Sequence, residues 1–153
     1  MGPAPAVWWA FGGQANARFG SDVSTAGDVN GDGLSDILIS APLHDNGQTD
    51  EGRVYLYPGS TTIAGSDVPA WTAEGNQTTA QFGSSIASAG DVNADGFSDV
   101  LIGAPGTPTA NPVRGGPTFT MACRPDLMQH RHGSQKSIRL GRPTVVALRA
   151  PEI

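Results

Sequence analysis

The sequence has one cysteine, Cys123, and none in its first 105 residues, so no disulfide can staple that part of the fold. It has no apolar run near the length of a membrane-crossing helix. Its opening, MGPAPAVWWAF, lacks both the basic start and the apolar stretch of a signal peptide, so no span or export signal is expected in this chain. Charge is also scarce, at 15% of residues, and cationic charge is scarcest where the chain is most regular. Residues 1–105 hold only Arg18 and Arg53 against 12 acidic residues, a net charge of −10. Residues 106–153 hold seven basic residues against two acidic ones, a net +5. The first segment therefore has no basic face for nucleic acid. The second has the charge but neither a motif nor interleaved aromatics, so no nucleic-acid partner is expected.

Glycine and proline are plentiful, at 21 and 12, and they follow no three-residue period. That excludes a collagen-like chain and marks turns between many short strands. A longer period is present. Phe19 to Pro42, FGSDVSTAGDVNGDGLSDILISAP, matches Phe82 to Pro105, FGSSIASAGDVNADGFSDVLIGAP, without a gap at an offset of 63 residues. Trp71 and Gln77 map onto Trp8 and Gln14 at the same offset, so the chain is expected to begin partway through an earlier unit.

Each unit holds a nine-residue run, DVNGDGLSD from Asp28 to Asp36 and DVNADGFSD from Asp91 to Asp99. Side-chain oxygens fall at positions 1, 3, 5 and 9, and position 6 is glycine both times. Alternating oxygen donors around a sharp glycine turn let a short loop wrap one hard cation, with the position-7 backbone carbonyl as a further ligand. Calcium tolerates such irregular all-oxygen geometry better than magnesium does. The expected ligands are Asp28, Asn30, Asp32, the Leu34 carbonyl and Asp36 for one ion. For the other they are Asp91, Asn93, Asp95, the Phe97 carbonyl and Asp99. Position 12 is Ile39 or Ile102 rather than a bidentate glutamate, and an apolar strand follows rather than a helix, so these are not EF-hands. One such run could equally be an Asx-rich turn. Two in the same context favour the cation. Self-repulsion of the carboxylates is expected to leave the loops poorly ordered until a cation neutralises them.

The FG dipeptide, the AGD element, the DxNxDGxxD loop and the closing GAP, SAP in the first copy, resemble the FG-GAP repeats of integrin α subunits over residues 8–105. The resemblance implies an all-β fold of four-stranded β-propeller blades, seven of which close the ring in integrins. It divides the chain into the end of a preceding blade (1–18), one repeat (19–81) and the start of a second (82–105). It also implies that calcium is structural, sitting in hairpin loops at one rim, with ligand read at the opposite face. A protein or extracellular-matrix ligand, a cell-surface or extracellular setting and a role in adhesion follow from it. The alternative is a carbohydrate-binding or accessory propeller module of a secreted hydrolase, with a glycan ligand. Strands are expected at Ile37–Ile39, Val100–Ile102 and Arg53–Tyr57, and around Ala70–Thr72. Two units are too few to close a ring, so neighbouring blades of a longer chain are expected partners.

After Pro105 the repeat stops. If the codons of residues 106–153 are read instead from the third base of each, they permit EGRAYVYHGLPTGPDATPAW beside the in-frame EGRVYLYPGSTTIAGSDVPAW of Glu51 to Trp71. They then permit YGRSVASAGD beside FGSSIASAGD. This segment is read as frameshifted and is expected to be disordered or non-native. Cys123, His130 and His132 within it match no standard zinc spacing.

No catalytic constellation is expected. His44, the only histidine of the repeat region, is read as a solvated turn residue with no nucleophile beside it. Trp8, Trp9 and Trp71 could stack on sugars, but the recurrence of Trp8 and Trp71 at the repeat period points to packing between blades.

Overall fold

The computed structural model describes residues 8–61 and 68–106, and beyond them the backbone of three strands, 118–122, 137–138 and 145–148. Every regular element among them is a β-strand. β1 (Val23–Gly27), β2 (Asp36–Ala41), β3 (Arg53–Tyr57) and β4 (Trp71–Glu74) form an antiparallel meander in that order. β5 (Ser85–Gly90), β6 (Asp99–Ala104) and β7 (Thr118–Ala122) begin a second sheet in the same way. That sheet ends differently, because β9 (Val145–Leu148) joins β7 in parallel and carries β8 (Ser137–Ile138) at its edge. β7 also meets β6 two residues out of the repeat's register, with Ala122 rather than residue 120 opposite Val100. These three strands lie in the segment read as frameshifted. Its other residues from 107 onward, and all its side chains beyond Gly106, fall outside the described residues.

The first sheet is apolar on both faces because both are covered. Successive residues of a strand point to opposite sides, so β2 and β3 each serve two cores. Leu38, Val54 and Leu56 join Trp71 and Ala26 on one side, where Val100, Ile102 and Ala104 of the second unit complete the cluster. On the other side Ile39, Ala41, Tyr55 and Tyr57 pack against Ala17, Trp8, Ala10 and Phe19. Trp8 meets Tyr57 edge-on at 5.2 Å, and Phe19 meets Tyr55 at 5.1 Å. Trp71, on β4, is buried in the core shared with the second unit and Trp8 packs on the other face of the first sheet, whereas Trp9 is exposed.

The recurring motifs have specific structural roles. The AGD glycines, Gly27 and Gly90, take φ of 72° and 68° at a β-bulge that ends the first strand of each sheet and turns the chain into the acidic loop. The FG glycine amides close onto the GAP position, Gly20 N–H onto the Ser40 carbonyl and Gly83 N–H onto the Gly103 carbonyl, each at 2.9 Å. Left-handed backbone repeats even where the residue changes: Gly13 with Asn76, Asn16 with Thr79, Arg18 with Gln81, and Gly31 with Ala94. The two sheets meet along β1 and β5, where Asp22 Oδ2 accepts the Ile86 amide at 2.9 Å and the Ser88 hydroxyl donates to the Ala26 carbonyl at 3.1 Å. The ring is not closed. Ala26, Val29 and Leu38 are buried beneath the second unit, while their counterparts Ala89, Val92 and Leu101 on the second sheet are partly or largely exposed.

Candidate metal centres

Both acidic loops connect the first and second strands of their sheets, and both therefore open at the same rim. Asp28 organises the first loop. Its Oδ1 accepts the amides of Gly31 at 2.6 Å and Asp32 at 3.1 Å, and its Oδ2 accepts that of Gly33 at 2.9 Å. Asn30 accepts the Asp32 amide at 2.8 Å and donates its own amide to Asp32 Oδ2 at 3.0 Å, while Asp32 Oδ1 accepts the Leu34 amide. The second loop repeats this pattern. Asp91 accepts from Asp95 and Gly96, Asn93 pairs with Asp95, and Asp95 Oδ1 accepts the Phe97 amide. Position 6, Gly33 or Gly96, has φ of 84° or 89°, a turn that side-chain-bearing residues rarely enter.

The ninth position differs between the loops. Asp36 is buried at the start of β2, with Oδ2 on the Val29 amide at 2.9 Å and Oδ1 on the Gly59 amide at 2.8 Å. Gly59 follows Pro58 directly after β3. An added Cβ there would lie 2.6 Å from the Ser35 carbonyl oxygen. Asp99 is equally buried and its Oδ2 holds the Val92 amide, but among the described residues its Oδ1 has no hydrogen-bond partner. Burial pushes the Asp36 carboxyl above its ordinary range, the Gly59 and Val29 amides pull it back, and the charges of Asp32 and Asp28 push it up again.

Among the described residues no three Asp, Glu, His or Cys side chains converge closely enough to enclose an ion. The carboxylates accept the loop's own amides. The donor set nevertheless fits a hard cation. It consists of oxygens alone, and a carboxylate oxygen holding one N–H keeps a second lone pair. Asp99 Oδ1 finds no hydrogen-bond partner among the described residues, whereas its counterpart Asp36 Oδ1 accepts the Gly59 amide.

The opposite rim carries a different polar group. Arg53 pairs with Glu74, which also accepts the Asn46 amide at 2.9 Å. Burial opposes the Glu74 charge, but the Asn46 and Arg53 hydrogen bonds and the Arg53 charge outweigh it and hold the carboxyl below its ordinary value. His44 is not the solvated turn residue expected from sequence. It is buried, its Nδ1 has no hydrogen-bond partner among the described residues, and its ring stands edge-on to Tyr55 at 6.5 Å. The 42–52 loop folds back over β3, with the Gly52 amide on the His44 carbonyl at 3.0 Å, a closure that no local motif announces.

The FG-GAP repeat family matches residues 19–57 and 82–117, the two stretches that carry the paired loops and their strands. The chain thus carries FG-GAP repeats. The second FG-GAP match runs past Pro105, where the visible repeat ends. Xenopus laevis integrin alpha-5 is 44% identical over 99 residues, 61% of this chain and 9% of that protein. Mus musculus integrin alpha-8 is 37% identical over 100 residues, 62% of this chain and 9% of its own length. Drosophila melanogaster integrin alpha-PS2 is 41% identical over 104 residues, 61% of this chain and 7% of its own length. The chain thus spans less than a tenth of each of these FG-GAP relatives.

Proposed function

We propose that this chain is a calcium-stabilised segment of an integrin α-like propeller, in which the ions hold blade structure and the assembled propeller binds a protein or matrix ligand in cell adhesion. The observation that carries this reading is the duplicated loop. Two DxNxDGxxD runs share one backbone course, one set of side-chain to amide contacts and one place at the start of a buried strand. The ligands are Asp28, Asn30, Asp32, the Leu34 carbonyl and Asp36 for the first ion, and Asp91, Asn93, Asp95, the Phe97 carbonyl and Asp99 for the second. The proposed units are the end of a preceding blade at 1–18, one repeat at 19–81 and the start of a second at 82–105.

Kinship with integrin alpha chains supports a cell-surface or extracellular setting, partners among neighbouring blades or a second subunit, and a binding rather than catalytic role. It lends nothing to a glycan ligand or to a hydrolase accessory module. Among the described residues no helix is long and apolar enough to cross a membrane.

Thermal unfolding of the chain in calcium and in EGTA, followed by binding to immobilised matrix proteins in the same two buffers, tests both halves. Saturation at a hundred times the dissociation constant stabilises by about 2.7 kcal/mol per site. The transition is therefore expected to drop by several degrees in EGTA, and matrix binding to fall with it. An unchanged transition would remove the structural role of calcium. Calcium-dependent stability without binding to any matrix protein would remove the adhesive one.

A further inference from the structure

The two acidic loops touch each other directly. Phe97, at position 7 of the second loop, lays its ring on Gly31 of the first, so close that an added Cβ on Gly31 would lie 2.6 Å from Phe97 Cε1. Its neighbour Ser98 donates its amide to the Asp28 carbonyl at 2.8 Å. The Ser98 hydroxyl fills the space beside Gly27, 2.4 Å from where a Cβ would stand. Two consecutive residues of one loop thus meet Asp28 and Gly31 of the other and Gly27, the last residue of the strand that leads into it. Asp28 is the residue on which the first loop's amides converge. Phe97 and Ser98 lie between Asp95 and Asp99, so their backbone is part of the turn that carries the second loop's own donors. The equivalent residue of the first loop, Leu34, lies instead against Gly59 of its own unit. The contact therefore runs from one unit to the next.

We propose that Phe97 is a positioning residue that couples the two loops, so that closure of one around a cation raises the affinity of the other. This rests on the calcium reading above. Ordering the second loop seats the ring on Gly31 and the Ser98 amide on Asp28, which holds the first loop in its wrapped form before its own ion arrives. Coupling of this kind is reciprocal. Gly31 is the only residue type that admits the ring at that separation.

The test is calcium titration calorimetry on the full 153-residue chain and on four derivatives. They are Phe97→Ala, Phe97→Tyr, the loop-two double variant Asp91→Ala/Asp95→Ala, and Phe97→Ala combined with that double variant. Ablating loop two is expected to weaken the remaining site about fivefold or more, the lower end of ordinary coupling. Phe97→Ala should weaken loop one by a similar factor although its backbone carbonyl is retained, Phe97→Tyr should not, and the combined variant should be no worse than the double variant alone. That non-additivity separates coupling from loss of packing, which would add. If Phe97→Ala fails to fold, Gly31→Ala displaces the ring from the other side and is expected to uncouple the sites in the same way. Two uptake events that stay independent in every variant, or strictly additive losses, overturn the coupling while leaving the metal reading intact. No calcium uptake by the unaltered chain defeats the metal reading and the coupling with it.

Discussion

Ala94 takes a φ of 60° at the place where the first loop has Gly31 at 79°. A left-handed conformation costs a side-chain-bearing residue about 1–2 kcal/mol, part of which is offset by its smaller loss of chain entropy on folding. Ala94→Gly is therefore expected to stabilise the chain by about 1 kcal/mol, read as a raised urea midpoint. His44 allows a prediction of opposite character. Burial, aided by the positive charge of Arg53, pushes its imidazole below the ordinary 6.5. The unfolded chain then binds a proton that the folded chain refuses, so stability should fall as pH drops below about 6.5. Urea unfolding at pH 7.5 and 5.5 should show a loss in the parent protein that is smaller in His44→Gln. An equal loss in both would mean that His44 is not the group responsible.

Among the elements, β2 and β6 are sequence counterparts in unequal surroundings. Leu38 is fully buried between the sheets, whereas Leu101, one period later, is only partly covered. Removing a buried leucine side chain leaves a cavity and costs about 3 kcal/mol, and the cost shrinks with exposure. Leu38→Ala should therefore cost about 3 kcal/mol and Leu101→Ala less than half of that, measured by chemical unfolding. Burial depends on what lies alongside, which a repeat in sequence does not record. The same distinction sets what could be read in advance. β2, β3, β4 and β6 and the two acidic loops follow from period, β-branched runs and alternating Asx residues, all of them local, whereas β1 and β5, with few large apolar residues, give no such signal. The Gly59 amide beneath Asp36, the Phe97 ring on Gly31 and the burial of His44 are long-range contacts between residues whose own neighbourhoods look like ordinary turns.

At the scale of the molecule, one sheet is covered on both faces and the next exposes Val92 and Leu101 where its predecessor buries Val29 and Leu38. This is how propeller blades outside a closed ring should look. Without disulfides in residues 1–105, the acidic rim is the natural place for a staple, and the proposed cations there would offset part of the net charge of −10 that those residues carry. Equilibrium dialysis against calcium, with the parent chain beside Asp28→Ala/Asp32→Ala and Asp91→Ala/Asp95→Ala, addresses that claim most directly. Two ions bound by the parent and one by each variant is the predicted result. No calcium retained by the parent, or retention unchanged in both variants, would contradict it.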